Sequence, residues 1–130
     1  MRIAVAVWVV GLVFAASATA GSSTDLRITV WPDGPGNGSK NWTLRCNPLG
    51  GTLPHRLKAC RTLNPLSAPF APVPPRTACT QINGGPAVAY VRGTFRGHRV
   101  SARFNRRDGC EIDRWTRVRF LFPVALAAPR

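Results

Sequence analysis

Acidic side chains are scarce in this chain: Asp25, Asp33, Asp108, Glu111 and Asp113 are the only five, against 18 lysines and arginines in 130 residues. No two of them form a paired-carboxylate motif, and no Gly-x-Ser-x-Gly elbow occurs, so neither carboxylate acid–base chemistry nor an elbow-type serine nucleophile has its groups. His55 and His98 are the only histidines. One falls on an expected helix and the other in a hairpin turn, where a histidine is ordinarily a surface residue rather than a general base. The four cysteines lack the close pairing of a zinc site, and neither a metal nor a cofactor is expected. Lysine is nearly missing too: Lys40 and Lys58 are the only two, so arginine carries almost all of the formal net charge of +13. These shortages point away from an enzyme and towards a binding protein.

What is present begins with a secretory pattern. Arg2 precedes an apolar run from Ile3 to Ala16, which ends in the small residues Ala16-Ser17-Ala18-Thr19-Ala20. That order fits a cleavable signal peptide over residues 1–20, and the apolar stretch is short for a membrane span. A secreted, extracellular protein with no membrane segment in its mature form is expected. Residues 21–130 are enough for one domain, near the lower end of what a hydrophobic core stabilises alone. Export places an even number of cysteines in an oxidising compartment, where they form a disulfide framework; spacing leaves all three possible pairings open.

Leu26, Ile28 and Val30 alternate with Arg27, Thr29 and Trp31, the period of a strand with one buried face. After a turn over Pro32–Gly38, residues 41–46 give a second strand ending at Cys46, and Asn47–Gly51 a further turn. Thr52 to Leu63 suits a short helix with Thr52 as N-cap, Pro54 in the first turn, and Leu53, Leu57, Cys60 and Leu63 on one face. Prolines at 65, 69, 72, 74 and 75 make the next stretch an ordered surface connection. Further strands are expected over Ala87–Arg92, over Thr94–Phe95 turning at Arg96-Gly97 into His98–Phe104, and over Trp115–Phe122. The fold class expected is α+β, a small antiparallel sheet carrying a little helix on one face. Residues 123–130 read as a weakly specified tail.

Two cysteine units resemble the Streptomyces subtilisin inhibitor family. The first is Thr43-Leu44-Arg45-Cys46-Asn47-Pro48 with Gly50-Gly51-Thr52-Leu53-Pro54 and Ala59-Cys60. The second is Cys79-Thr80-Gln81-Ile82, then Val91-Arg92-Gly93-Thr94-Phe95-Arg96-Gly97-His98-Arg99-Val100, Phe104 and Asp108-Gly109-Cys110-Glu111-Ile112. The resemblance implies bridges Cys46–Cys60 and Cys79–Cys110, a sheet of about five strands with two short helices on one face, and a homodimer. It further implies a substrate-like, standard-mechanism inhibitor of subtilisin-like serine proteases. The reactive loop would cover residues 77–86, with Thr77, Ala78, Cys79, Thr80, Gln81, Ile82 and Asn83 as contact residues and Gln81-Ile82 as the reactive bond. Asp108 and Gly109 would support it from below, Asp108 as acceptor for a loop amide or as an ordinary turn residue.

Two positions depart from the better-known members: Thr80 stands where proline is common, and Gln81 replaces the usual methionine or lysine. The basic composition supplies an alternative, a secreted polyanion-binding module on the same scaffold that has lost inhibition. Its stripe would be Arg92, Arg96, Arg99, Arg103, Arg106 and Arg107, interleaved with Tyr90, Phe95 and Phe104. Weighed against that, the arginines alternate with apolar residues along strands and form no separate tail, the pattern of a solvated strand face.

Overall fold

The computed structural model of the chain describes residues 9–15 and 23–126. Most of the expected signal segment and residues 127–130 of the tail lie outside them. Residues 9–15 take up no regular structure, and no helix among the described residues is long and apolar enough to cross a membrane.

The alternation read from the first strand is realised as β1, Thr24–Trp31, with Leu26, Ile28 and Val30 buried and Asp25 and Arg27 exposed. Two partners flank it, both antiparallel: β2 (Lys40–Cys46), with Ile28 opposite Trp42, and β4 (Val88–Phe95), with Ile28 opposite Val91. The sheet is completed by β5 (His98–Phe104) against β4 and by a two-residue β3 (Gly50–Gly51) against β2, giving the order β3-β2-β1-β4-β5. Arg96 and Gly97 both take positive φ, 50° and 78°, and form the two-residue turn that the right-handed strand twist favours between β4 and β5.

One face of the sheet carries the core. Leu26, Ile28, Val30, Leu44, Val91 and Phe104 from the strands meet Ala59, Cys60 and Leu63 from α1 (Arg56–Leu63), and Trp115, Val118 and Leu121 from the C-terminal segment. Both helices therefore cover the same side, and both disulfides expected from the likeness are formed, Cys46–Cys60 and Cys79–Cys110. Each bridge joins a helix to another element.

The expected helix over 52–63 is shorter than its periodicity implied. It starts at Arg56 after His55, whose φ of 55° and ψ of 44° are left-handed. Thr52 is not its N-cap: Thr52 donates its amide to the Thr43 carbonyl, and its hydroxyl accepts from the Thr43 amide at 3.0 Å. Leu57 is 50% exposed, since the buried stripe is Ala59, Cys60 and Leu63.

The strand expected over Trp115–Phe122 is wrong. The segment is helical: α2 spans Gly109–Arg117, followed by a 3-10 turn at Arg119–Leu121. Asp108 caps α2, its Oδ1 accepting from the Glu111 amide at 2.9 Å, with Glu111 in the first turn and Arg114 and Arg117 in the last, each sign facing the favourable end of the helix dipole. Trp115, Val118, Leu121 and Phe122 then recur at helical spacing on the buried side. The fifth strand comes instead from Gly50–Gly51.

Arg114 ties α2 to the proline-rich connection. Its guanidinium donates to the carbonyls of Ala71 (2.8 Å), Arg103 (2.6 Å) and Phe70 (3.3 Å), pairs with Glu111 at 3.4 Å, and lies 4.1 Å above the Phe104 ring. Phe70 in turn meets the ring of Phe95 edge-on at 5.5 Å, so the connection is fastened to the domain and is not a linker. Hydrogen bonds to a charged donor are each worth roughly 1.5–3 kcal/mol, and three of them meet on this one half-buried guanidinium. Arg114→Met should therefore lower the free energy of unfolding by at least about 2 kcal/mol in denaturant titration, without changing the sheet's circular dichroism at low denaturant.

Candidate functional site

The stretch from Thr77 to Pro86 carries no regular secondary structure, and its shape is imposed from outside. On its N-terminal side the Thr77 hydroxyl donates to the Pro74 carbonyl at 2.6 Å, closing the turn that leaves the prolines. Two residues on, Cys79 is bonded to Cys110 in the first turn of α2, with the two Cα atoms 5.3 Å apart. The Gly109 amide then donates to the Thr80 carbonyl at 2.9 Å. A side chain at position 109 would run into that of Thr80, so glycine is what allows helix and loop to approach this closely.

A second attachment lies beyond Asn83. The Gly84 amide donates to the Arg106 carbonyl at 2.7 Å, and Arg106 Nε returns a bond to the Gly84 carbonyl at 3.0 Å. Arg106 itself lies 5.6 Å from the Trp115 ring centroid, which steadies its guanidinium on the core. Ile112 lies beneath Gly84, close enough that a Cβ there would meet its side chain at 3.0 Å. Gly85, with φ of 104°, then turns the chain back towards β4, helped by its amide bonding to Asn83 Oδ1 at 2.8 Å.

Between these two attachments stand Gln81, Ile82 and Asn83. All three are exposed, Ile82 by 61%, although burying its side chain would be favourable. Among the described residues no backbone hydrogen bond ties any of the three to the body of the domain. Gln81 folds its amide back to the Cys79 carbonyl at 3.3 Å, a contact confined to the loop. The geometry therefore presents three consecutive residues with free main-chain donors and acceptors, pinned on both sides.

Of the residues singled out in the sequence, Thr77 to Asn83 and Gly109 are brought together here. Asp108 is beside them, but its observed bond is to the Glu111 amide at the start of α2; it holds the helix that holds the loop. Its carboxylate lies within 4.8 Å of both sulfurs of Cys79 and Cys110, a grouping that resembles a metal site in outline only, because the sulfurs are spent on one another. Arg106 as a loop support, and Arg114 behind it, were not anticipated. The partners of both are backbone carbonyls, which leave no mark in a sequence. The Asp108-x-x-Glu111 spacing, a helix-start signature, was the one signal that could have placed α2 under the loop.

The basic stripe proposed from the sequence is divided. Phe95 and Phe104 are buried in the core, whereas Tyr90, Arg92, Arg99 and Arg103 lie on the opposite face of the sheet. Arg96 is in the hairpin turn, and Arg106 belongs to the loop attachment.

The family model that matches is described as subtilisin inhibitor-like and covers residues 22–106, well over half of the chain. Its span includes the whole sheet, α1, the loop and Arg106, and stops before Asp108, Gly109 and Cys110. No curated protein matches the chain.

The Cys79–Cys110 bridge closes a segment of 31 residues, worth on the order of 3–4 kcal/mol in the loop-entropy treatment. Replacing both cysteines by serine should reduce stability by about that much. Hydrogen exchange should speed up at the amides of Gly84 and Gly109 ahead of those of β1, which locates the loosening at the loop.

Proposed function

Because the chain belongs to the subtilisin inhibitor-like family, a family of serine protease inhibitors, we propose that it is a secreted, substrate-like inhibitor of subtilisin-type endopeptidases with Gln81-Ile82 as its reactive bond. The observation that carries this reading is the exposed, unbonded triplet Gln81–Asn83 held between two fixed ends. A protease cleft binds its substrate as an added strand, through main-chain hydrogen bonds with side chains in alternate pockets. A segment that already lacks internal partners gives up none to dock. Having been ordered by the fold, it also loses little conformational entropy.

The same attachments explain why cutting would not free the enzyme. Attack of the protease serine on the Gln81 carbonyl breaks the bond to the Ile82 nitrogen, forming an ester on Gln81 and an amine on Ile82. The acyl side stays tied through Thr80–Gly109 and Cys79–Cys110, the amine side through Gly84–Arg106. The amine cannot diffuse away. Its effective concentration beside the ester is that of an intramolecular reactant, so reformation of the peptide bond and release of the serine compete with hydrolysis.

In this reading Gln81 enters the primary specificity pocket, with Thr80 next to it, Ala78 and Thr77 beyond Cys79 in the more distant subsites, and Ile82 and Asn83 on the leaving side. Thr80 is β-branched, which restricts its χ1 and helps stiffen the approach where relatives carry proline. Glutamine is neutral and suits an open, polar-tolerant pocket better than one built around a buried carboxylate. The signal-like segment supports export, and family likeness supports a homodimer.

Titration of subtilisin with the secreted protein should remove activity at one inhibitor chain per enzyme, and mass spectrometry should recover the chain mainly intact. Rapid and complete cutting after Gln81 would instead make it a substrate, and unchanged subtilisin activity at excess inhibitor would remove the reading. Gln81→Lys should shift preference towards trypsin-like enzymes by about tenfold or more in inhibition constant; unchanged selectivity would place the primary contact elsewhere.

A further inference from the structure

Asparagine is followed by glycine at two places in the chain, Asn37-Gly38 and Asn83-Gly84, and the second pair lies inside the exposed loop. The combination matters chemically, because the side-chain carbonyl carbon of an asparagine is one ring closure away from the main-chain nitrogen of the next residue. A glycine there has no Cβ to obstruct the approach. Closure makes a cyclic imide.

At Asn83 the two reacting groups are held in opposite states. The electrophile is prepared: the Gly85 amide donates to Asn83 Oδ1 at 2.8 Å, which polarises the side-chain carbonyl and sets a donor where negative charge develops during attack. Asn83 is exposed, so water and hydroxide reach it. The nucleophile, by contrast, is withheld. The Gly84 nitrogen must give up its proton before it can attack, and that N–H donates to the Arg106 carbonyl at 2.7 Å. A hydrogen bond made by the protonated form resists deprotonation. The Arg106 side chain steadies this bond, its Nε donating to the Gly84 carbonyl at 3.0 Å, and Ile112 lies beneath Gly84.

We propose that Asn83 is a self-modification site gated by the Gly84–Arg106 hydrogen bond: when that bond opens, Asn83 converts to aspartate and isoaspartate. Hydroxide takes the Gly84 amide proton, the nitrogen bonds to Asn83 Cγ, and the Cγ–Nδ2 bond breaks, Nδ2 leaving as ammonia with a proton from water. Water then adds to one of the two imide carbonyls. Opening at Cγ restores the ordinary main chain with an aspartate at position 83. Opening at the main-chain carbonyl routes the backbone through the side chain and gives isoaspartate. Altogether one water is consumed and one ammonia released, with no change of oxidation state.

Isoaspartate inserts a methylene into the main chain between Gln81-Ile82 and the Gly84 attachment, and either product puts a carboxylate on an exposed loop residue. The lengthened segment no longer spans its two fixed ends in the same shape. Conversion therefore limits the working life of the loop as an inhibitor. That consequence rests on the proposed function, whereas the chemistry does not.

Incubating the secreted protein at mildly alkaline pH, with peptide mapping by mass spectrometry to separate Asn83 from Asn37, tests the gate. Asn83 should gain the mass difference between hydroxyl and amino at least about fivefold more slowly than in the guanidinium-unfolded chain, the protection that one ordinary hydrogen bond gives. Arg106→Ala, with the parent's circular dichroism, should speed conversion in the folded chain about tenfold or more, since a charge-assisted bond is lost. In the parent, conversion should rise with sub-denaturing guanidinium in step with hydrogen exchange at the Gly84 amide, because both need the same opening; this measurement stands whether or not Arg106→Ala folds. Separated by charge, the isoaspartate form should inhibit subtilisin at least about tenfold more weakly than the unmodified form, the preorganised shape being lost. Equal rates in folded and unfolded chains, conversion indifferent to Gly84 exchange, or a folded Arg106→Ala with the parent's rate would each overturn the proposal, and an isoaspartate form as potent as the parent would overturn its effect on inhibition. Failure of the fresh, unmodified protein to inhibit would instead remove the proposed function and leave the gate to be decided by the mass measurements.

Discussion

The Gly109 amide and the Cys110 sulfur lie next to each other in the first turn of α2, and the N-terminal side of the exposed loop is hung from both. That side of the loop is therefore only as fixed as the turn, while the far side is held separately through Gly84 and Arg106. Three independent features hold the turn in place: the Asp108 cap on the Glu111 amide, Trp115 buried at 3% exposure further along the helix, and Arg114 reaching three carbonyls from two other parts of the chain. Each acts on a different scale. The cap satisfies a single donor, the indole removes apolar area from water, and the guanidinium joins the connection entering the loop to the helix receiving it. Rigidity at Gln81 is thus built some distance away from Gln81.

The loop is left exposed at an evident cost, since an isoleucine in water and three unpaired peptide groups contribute nothing to folding. A chain of this size has little surplus to spare, for a small core must already offset most of the conformational entropy. The two disulfides address that balance from the unfolded side by removing conformations the open chain would otherwise explore. Cys46–Cys60 does this for the β2–α1 unit and Cys79–Cys110 for the loop, the connection to β4 and the whole β4–β5 hairpin lying within the second closure.

Much of the sheet was legible because side-chain period and burial coincide. Leu26, Ile28 and Val30 announced β1, and Arg96-Gly97 announced the β4–β5 turn. The pairing of the cysteines was not readable from spacing and came only through likeness to a known family. β3 could not be seen, since Gly50 and Gly51 have no side chains to carry a period. α2 was misread because arginines interspersed with Trp115, Val118 and Phe120 imitate strand alternation, whereas the apolar side of a short helix needs only one residue per turn. In the loop, the segment after Cys79 was singled out through the same likeness, and its exposure is what the structure adds. Its supports were not legible, because Arg106 and Arg114 bind carbonyls, and any residue type supplies a carbonyl.

Those two arginines show how a chain with 18 basic and five acidic side chains keeps its charges in order. Carboxylates cannot be the general solution, and one ion pair among the described residues is all they provide. Aromatic rings and carbonyls take their place. Arg92 and Arg103 lie over Tyr90, Arg96 over Phe95, Arg106 over Trp115 and Arg114 over Phe104, and the last two also bond to backbone oxygens. A guanidinium suits both roles, being planar, weakly hydrated and equipped with several fixed donors, whereas an ammonium would lose more hydration for less contact. The preference for arginine over lysine thus has a structural consequence beyond charge. Where ring and carbonyl are both available the arginine becomes part of the scaffold, as at Arg106 and Arg114. Where only the ring is available, as for Arg92 and Arg103 over Tyr90, the ring holds the guanidinium alone.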